Sequence, residues 1–164
     1  MATPEFILKL REKIGHDPLW LIGVTGYVED GAGRILMGRR ADTGEWALVY
    51  GINEPGEEPA VTVAREVKEE TGVDCAPRAL VAVEAGRPMA YANGDRCQYL
   101  DLMFVCGLDS GGCAEPFVGD DESLDVGWFA PDELPEPLAA STAHRLELLA
   151  RWRAAGAGAA LFNL

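Results

Sequence analysis

The chain has 164 residues, of which 48% are hydrophobic and 25% charged, enough apolar material to bury the core of one domain. Its formal charge of −13 argues against a nucleic-acid polymer as partner, since backbone phosphates are held by clusters of Lys and Arg. No apolar run reaches the ~18 residues of a membrane helix and no basic-then-apolar leader opens the chain, so the expectation is a cytoplasmic protein away from membranes.

Thr3-Pro4-Glu5, followed by Phe6, Ile7, Leu10 and Ile14, reads as an amphipathic helix stopped by Gly15. It is expected to pack as a lid on a sheet or on a second copy of the chain in a homodimer. Leu19 to Val28 is rich in β-formers and leads through Glu29-Asp30-Gly31-Ala32-Gly33 into Arg34-Ile35-Leu36-Met37-Gly38, which predicts a hairpin. Arg39, Arg40, Ala41 and Asp42 then lead to a short strand, Trp46 to Val49, with Trp46 in the core.

The stretch Gly51 to Val73 organises the rest. Its second half predicts a helix with Pro59 in the first turn and Gly72 as the stop. At roughly 100° per residue, Ala60, Val63, Ala64, Val67 and Thr71 share one arc and Glu66, Glu69 and Glu70 crowd the next. Like charges at this spacing cost a helix roughly 0.2–0.5 kcal/mol per pair. Arg65 reaches Glu69 at i+4 but cannot neutralise every carboxylate, whereas a hard divalent cation such as Mg²⁺ or Mn²⁺ prefers carboxylate oxygens. The competing reading is a solvated acidic face.

Gly51, then Glu57, and then Arg65-Glu66-Val67-Lys68-Glu69-Glu70-Thr71-Gly72-Val73 fill every constrained position of G-x5-E-x7-R-E-U-x-E-E-x-G-U, where U is aliphatic. On these residues the chain resembles the Nudix hydrolases. The resemblance implies an α/β fold, a Nudix-type α/β/α sandwich with a mixed β-sheet, and covers roughly Leu19 to Pro135. Residues 1–17 then form an N-terminal helical extension, 18–135 the Nudix core and 136–164 a C-terminal helix and tail of a single domain.

The family implies metal-dependent hydrolysis of a nucleoside diphosphate linked to another moiety. Its metal ligands carry over to Glu57, Glu66, Glu69, Glu70 and the backbone carbonyl of Tyr50. Many members have glycine where Tyr50 stands, and the tyrosine is expected to reshape the substrate pocket. Glu66 or Glu122 is the expected general base, Glu69 serves beside them, and Arg65 orients the motif through an ion pair. Arginines at the position of Arg39 and Arg40 touch phosphate or base in the family, and a guanidinium fork suits a diphosphate. For Arg39 a merely solvated role is the alternative.

Beyond the motif, Ala79 to Glu84 predicts a strand, Asn93-Gly94-Asp95 a hairpin turn, and Gln98 to Cys106 the returning strand. In the family, a proline near Pro88 accompanies ADP-ribose as substrate and a tyrosine slightly later, here Tyr91, accompanies dinucleoside polyphosphates. Both are present and neither decides; ADP-ribose or another nucleotide sugar is preferred by a small margin over a nucleoside triphosphate, oxidised dNTPs included, and a non-catalytic nucleotide sensor ranks below both because no glutamate of the motif is missing. The acidic loop Asp120-Asp121-Glu122 precedes a strand from Asp125 to Phe129 and supplies either a further carboxylate or only a solvated turn. Ser141-Thr142 is expected to cap a helix carrying Leu146, Leu149 and Trp152, and the Ala-Gly-rich tail to Phe162 to be loosely held. Cys75, Cys97, Cys106 and Cys113 lack metal-binding spacing and are expected as reduced, mostly buried thiols.

Overall fold

The computed structural model describes residues 3–162. Within them the order of elements is α1 (Glu5–Ile14), β1 (Leu19–Glu29), β2 (Ile35–Arg40), β3 (Trp46–Ala47), β4 (Val49–Ile52), α2 (Pro59–Thr71), β5 (Cys75–Ala85), β6 (Met89–Ala90), β7 (Arg96–Leu108), β8 (Ser123–Phe129), α3 (Ala140–Ala154) and β9 (Leu161–Phe162). No helix among the described residues is long and apolar enough to cross a membrane.

The strands form one mixed sheet. Its spine is the parallel pair β1–β7, in register from Leu19 opposite Cys97 to Glu29 opposite Gly107. The other edge of β1 is taken over Gly23 to Gly26 by β4, which leaves β2 a single pairing, Glu29 with Ile35. The expected hairpin therefore opens as soon as it forms. β2 diverges to pair with β3 and, from Ile35 to Arg40, with β8.

Alternation along the strands divides the core. Val24, Val28 and Leu36 pack with Val63 and Val67 of α2 on one face. Tyr27, Ile35 and Met37 pack with Leu148, Leu149 and Trp152 of α3 on the other. The result is the expected α/β/α sandwich. α2 lies close to the sheet because β1 carries Gly26 beneath it: a Cβ there would stand 2.9 Å from Val63 Cγ2. Fully burying Val63 and Val67 stabilises the fold by about 1.5–3 kcal/mol each, more than the few tenths lost to each like-charge pair. Core packing thus lets α2 keep its acidic face.

Four expectations need correction. The expected strand Trp46–Val49 is two strands, broken at Leu48, whose N–H donates to Thr142 Oγ1 at 3.1 Å instead of to a neighbouring strand. Thr142 consequently does not cap α3; the residue before that helix is Ala139, without a side-chain cap. Ala60 and Leu10, assigned to apolar faces, are exposed, because α2 meets the sheet only from Thr62 onward and α1 buries Ile7 alone, against Leu21, Ile52 and Cys97. The tail is not loose through Phe162, since Leu161 and Phe162 pair in parallel with Ala82 and Val83 of β5.

Candidate active site

The carboxylates are brought together by the loop before α2 and by its first three turns. Asn53 ties the loop down, its Nδ2 donating to the Glu57 carbonyl at 3.0 Å and to Thr62 Oγ1 at 2.6 Å. Glu58, extended, precedes the helix, Pro59 opens it, and Gly72 ends it in the left-handed conformation with φ 72°. That conformation suits glycine because it has no Cβ to clash with the carbonyl.

Arg65 is the hub. Its Nε and Nη2 donate to the two carboxylate oxygens of Glu57 at 3.0 and 3.1 Å, and its Nη1 lies 2.8 Å from Glu69 Oε2 and 3.2 Å from Glu66 Oε1. The guanidinium holds the Glu57 carboxyl below its ordinary range. Arg65 itself, bonded first to Glu57 and then facing Glu66 and Glu69, is held more firmly protonated.

Two other glutamates are pushed the opposite way. Glu66 is 8% exposed, and burial, only partly offset by Arg65 and reinforced by Glu69 and Glu122, raises its pKa to about 7. Glu70 is raised to about 8, by burial first and then by Glu66, Glu122 and Asp120. Burial penalises the anion, and unneutralised neighbours add to the penalty. Glu66 reaches its place because Gly51 has no side chain; a Cβ there would lie 2.1 Å from Glu66 Cδ.

Arg65, Glu66 and Glu69 line a hollow of about 300 Å³ together with Pro4, Glu54, Asp120 and Glu122. Asp121 is exposed, off the hollow. As arranged, no three acidic, imidazole or thiol groups among the described residues stand close enough to clasp a metal ion. Arg65 pairs with Glu57, Glu66 and Glu69 instead. The donor set still fits a hard cation: Glu54, Glu66, Glu69, Asp120 and Glu122 converge on one polar hollow, and Glu66 is costly to ionise without a counter-charge.

The remaining expected residues lie elsewhere. Arg39 Nε donates to the Gly44 carbonyl at 3.0 Å, within its own turn. Arg40 pairs with Asp42 and its guanidinium carbon stands 5.0 Å from the centre of the Tyr50 ring. Arg145 of α3 also faces that ring, at 5.4 Å, and pairs with Asp101, which accepts from Thr25 Oγ1 as well. Tyr50 thus joins the start of the motif to a charged cluster beneath α3. Tyr91 meets Tyr99 through their hydroxyls at 3.1 Å, and Pro88 borders a separate hollow with Pro18, Met89 and Cys97. Sequence reasoning missed Asp101 and Arg145, because one is an ordinary inner-strand position and the other an ordinary helix charge. It also missed Phe117 and Gly119, whose loop carries no periodicity. Cys75, Cys97 and Cys106 are buried free thiols and Cys113 is exposed.

The chain as a whole is similar to known proteins. The NUDIX domain profile matches residues 20–151, which takes the family likeness into α3. A MutT-like protein of Streptomyces ambofaciens is 40% identical over 79% of this chain and 76% of its own length. The human 8-oxo-dGDP phosphatase NUDT18 is 34% identical over 73% of this chain, which spans only 34% of that protein. The crystal structure of a UDP-X diphosphatase superposes with a TM-score of 0.66 at 25% identity, over 97% of this chain and 74% of that one. The chain belongs to the Nudix family of hydrolases, enzymes that in general use divalent metal ions.

Proposed function

We propose that the protein hydrolyses a phosphoanhydride bond of a purine nucleoside di- or triphosphate, oxidised guanine nucleotides included, with Mg²⁺ or Mn²⁺ held by Glu57, Glu66, Glu69, Glu70 and the Tyr50 carbonyl. The observation that carries this reading is the convergence of Glu66, Glu69, Asp120 and Glu122 on one small polar hollow, with Glu70 close enough to Glu66, Asp120 and Glu122 to feel their charge. A diphosphate cannot approach that anionic surface without a cation between. When bound, the metal supplies charge neutralisation at phosphorus and a more acidic water.

The chain's own groups do the rest. Arg65 keeps Glu57 aligned by its two-pronged pair, and Glu66 and Glu69, which share its remaining nitrogen, would hold the metal, Glu69 being half exposed and able to turn at little cost. Glu66 or Glu122 accepts the proton of the attacking water. Arg40 and Arg145, beside Tyr50, offer cationic and aromatic surface to the nucleoside end. The human relative, whose name refers to 8-oxo-dGDP, favours a purine nucleotide.

A nucleotide sugar such as ADP-ribose is the second reading, supported by the UDP-X diphosphatase likeness, which extends over nearly the whole chain. The test is formation of the nucleoside monophosphate product, resolved by ion-exchange chromatography, from a panel of 8-oxo-dGDP, 8-oxo-dGTP, unmodified nucleotides, ADP-ribose and UDP-sugars with Mg²⁺, Mn²⁺ or chelator. Chelator-sensitive turnover fastest on the purine nucleotides supports the first reading; preference for ADP-ribose or UDP-sugars supports the second. Tight nucleotide binding with no turnover under any condition overturns the enzyme reading.

A further inference from the structure

The segment between β7 and β8 is strapped to the C-terminal turn of α2. Phe117 N–H donates to the Thr71 carbonyl at 2.9 Å and Gly119 N–H to the Glu70 carbonyl at 3.0 Å. Upstream, Asp74 N–H donates to the Cys113 carbonyl, and Cys113 N–H to the Asp74 carboxylate, each at 2.8 Å. The last carbonyls of a helix have no partner within it. Here the strap supplies partners to two of them.

Two glycines make the fit possible. A Cβ on Gly119 would stand 2.0 Å from the Glu69 carbonyl oxygen, and one on Gly72 would stand 2.1 Å from the Phe117 ring. Phe117 is 56% exposed, so burial alone does not account for its place. The ring sits on the bare Cα of Gly72 and sets the height of the strap.

Immediately after Gly119 come the residues that enter the hollow. Asp120 Oδ1 accepts from Glu122 N–H at 3.0 Å, and the Glu122 carbonyl accepts from Ala41 N–H at 2.8 Å, fastening the far end beside β2. Asp120 and Glu122 face Glu66 and Glu69 across the hollow, directly after the point where Gly119 is docked.

We infer that Gly119, with Phe117 seated on Gly72, is a positioning residue: it holds Asp120 and Glu122 over the carboxylates of α2 and so completes the metal-binding surface. This rests on the metal-dependent reading above. The test is Mn²⁺ affinity, read from the electron-spin-resonance signal of free Mn²⁺, together with kcat and KM.

Gly119→Ala is expected to weaken Mn²⁺ binding by about tenfold or more and to lower kcat, with the thermal midpoint kept within a few degrees. In an Asp120→Asn, Glu122→Gln background the same substitution is expected to have no further effect on Mn²⁺, because nothing remains to be positioned. Wild-type Mn²⁺ affinity in Gly119→Ala, or an equal loss in both backgrounds, overturns the inference. Phe117→Ala, a simple truncation at an exposed position, is read in the same way where Gly119→Ala does not fold. Glu69→Gln separates the two readings. Loss of Mn²⁺ binding in Glu69→Gln but not in Gly119→Ala or Phe117→Ala removes only the positioning role, whereas intact binding in Glu69→Gln removes the metal site and this inference with it.

Discussion

Glu66 lies across the bare Cα of Gly51, so close that a Cβ on residue 51 would stand 2.1 Å from the glutamate's Cδ and 2.3 Å from its Oε1. The first glycine of the motif and an acid on the helix that follows are one unit. Gly51→Ala is expected to displace the Glu66 carboxylate by about an ångström and to reduce turnover by about 10²-fold or more, since misplacements of that size are costly at a reacting centre. Comparison of kcat with the thermal midpoint checks it: full activity in a folded Gly51→Ala protein would show that Glu66 has no demanding position.

Glu70→Gln separates function from stability. The Glu70 carboxyl, raised to about 8, is ionised at a cost near neutral pH and above, so the neutral isostere is expected to raise the melting temperature of the metal-free protein at about pH 8.5 while lowering activity by orders of magnitude. Calorimetry and initial rates on the same sample decide it. A lower midpoint together with normal turnover contradicts the assignment on both counts.

The pH dependence of the metal-free fold follows from the same groups. Glu66 and Glu70 have native pKa values near 7 and 8 against 4.5 for an ordinary glutamate, so between these values the folded chain binds more protons than the unfolded one. Their contribution to stability is fully present below about pH 4.5 and is lost as pH rises toward 8, because the unfolded chain gives up these protons first. Among the groups facing them, Glu69, Glu122 and Asp120 reinforce the trend and Arg65 opposes it at Glu66. Saturating Mn²⁺ is expected to flatten the slope, because bound metal favours the carboxylates. Melting curves at several pH values with and without Mn²⁺ test this, and identical slopes contradict it.

Thr142→Val tests the seam between β3 and β4. The hydroxyl is the acceptor for the buried Leu48 N–H, and the valine keeps the volume while removing it. The expected loss of stability is about 1–3 kcal/mol, the cost of an unsatisfied buried donor, with turnover changed only modestly. Denaturant unfolding measures it; an unchanged midpoint shows that Leu48 N–H finds another acceptor.

Much of the site was legible from local chemistry. The arc Val63, Val67 and Thr71 announced the buried face of α2, Gly72 its left-handed end, and the spacing of Arg65 to Glu69 their ion pair. The asymmetry between Glu57, held ionised by Arg65, and Glu70, held back by burial, was not legible. Both are glutamates in one motif, and only their distance from Arg65 and from water separates them.

The sequence by itself determined what depends on neighbours along the chain: the helix, its stop, the Asn93-Gly94-Asp95 turn and the array of carboxylates, all consequences of side-chain period and backbone preference. Tertiary structure alone decided the parallel β1–β7 spine, the opening of the β1–β2 hairpin, the break at Leu48 and the addition of the tail to β5. It also decided that a loop after β7 would reach back to the end of α2. Each of these joins residues far apart in the chain, where the choice rests on which partner covers an edge or a carbonyl, and no local pattern encodes that choice.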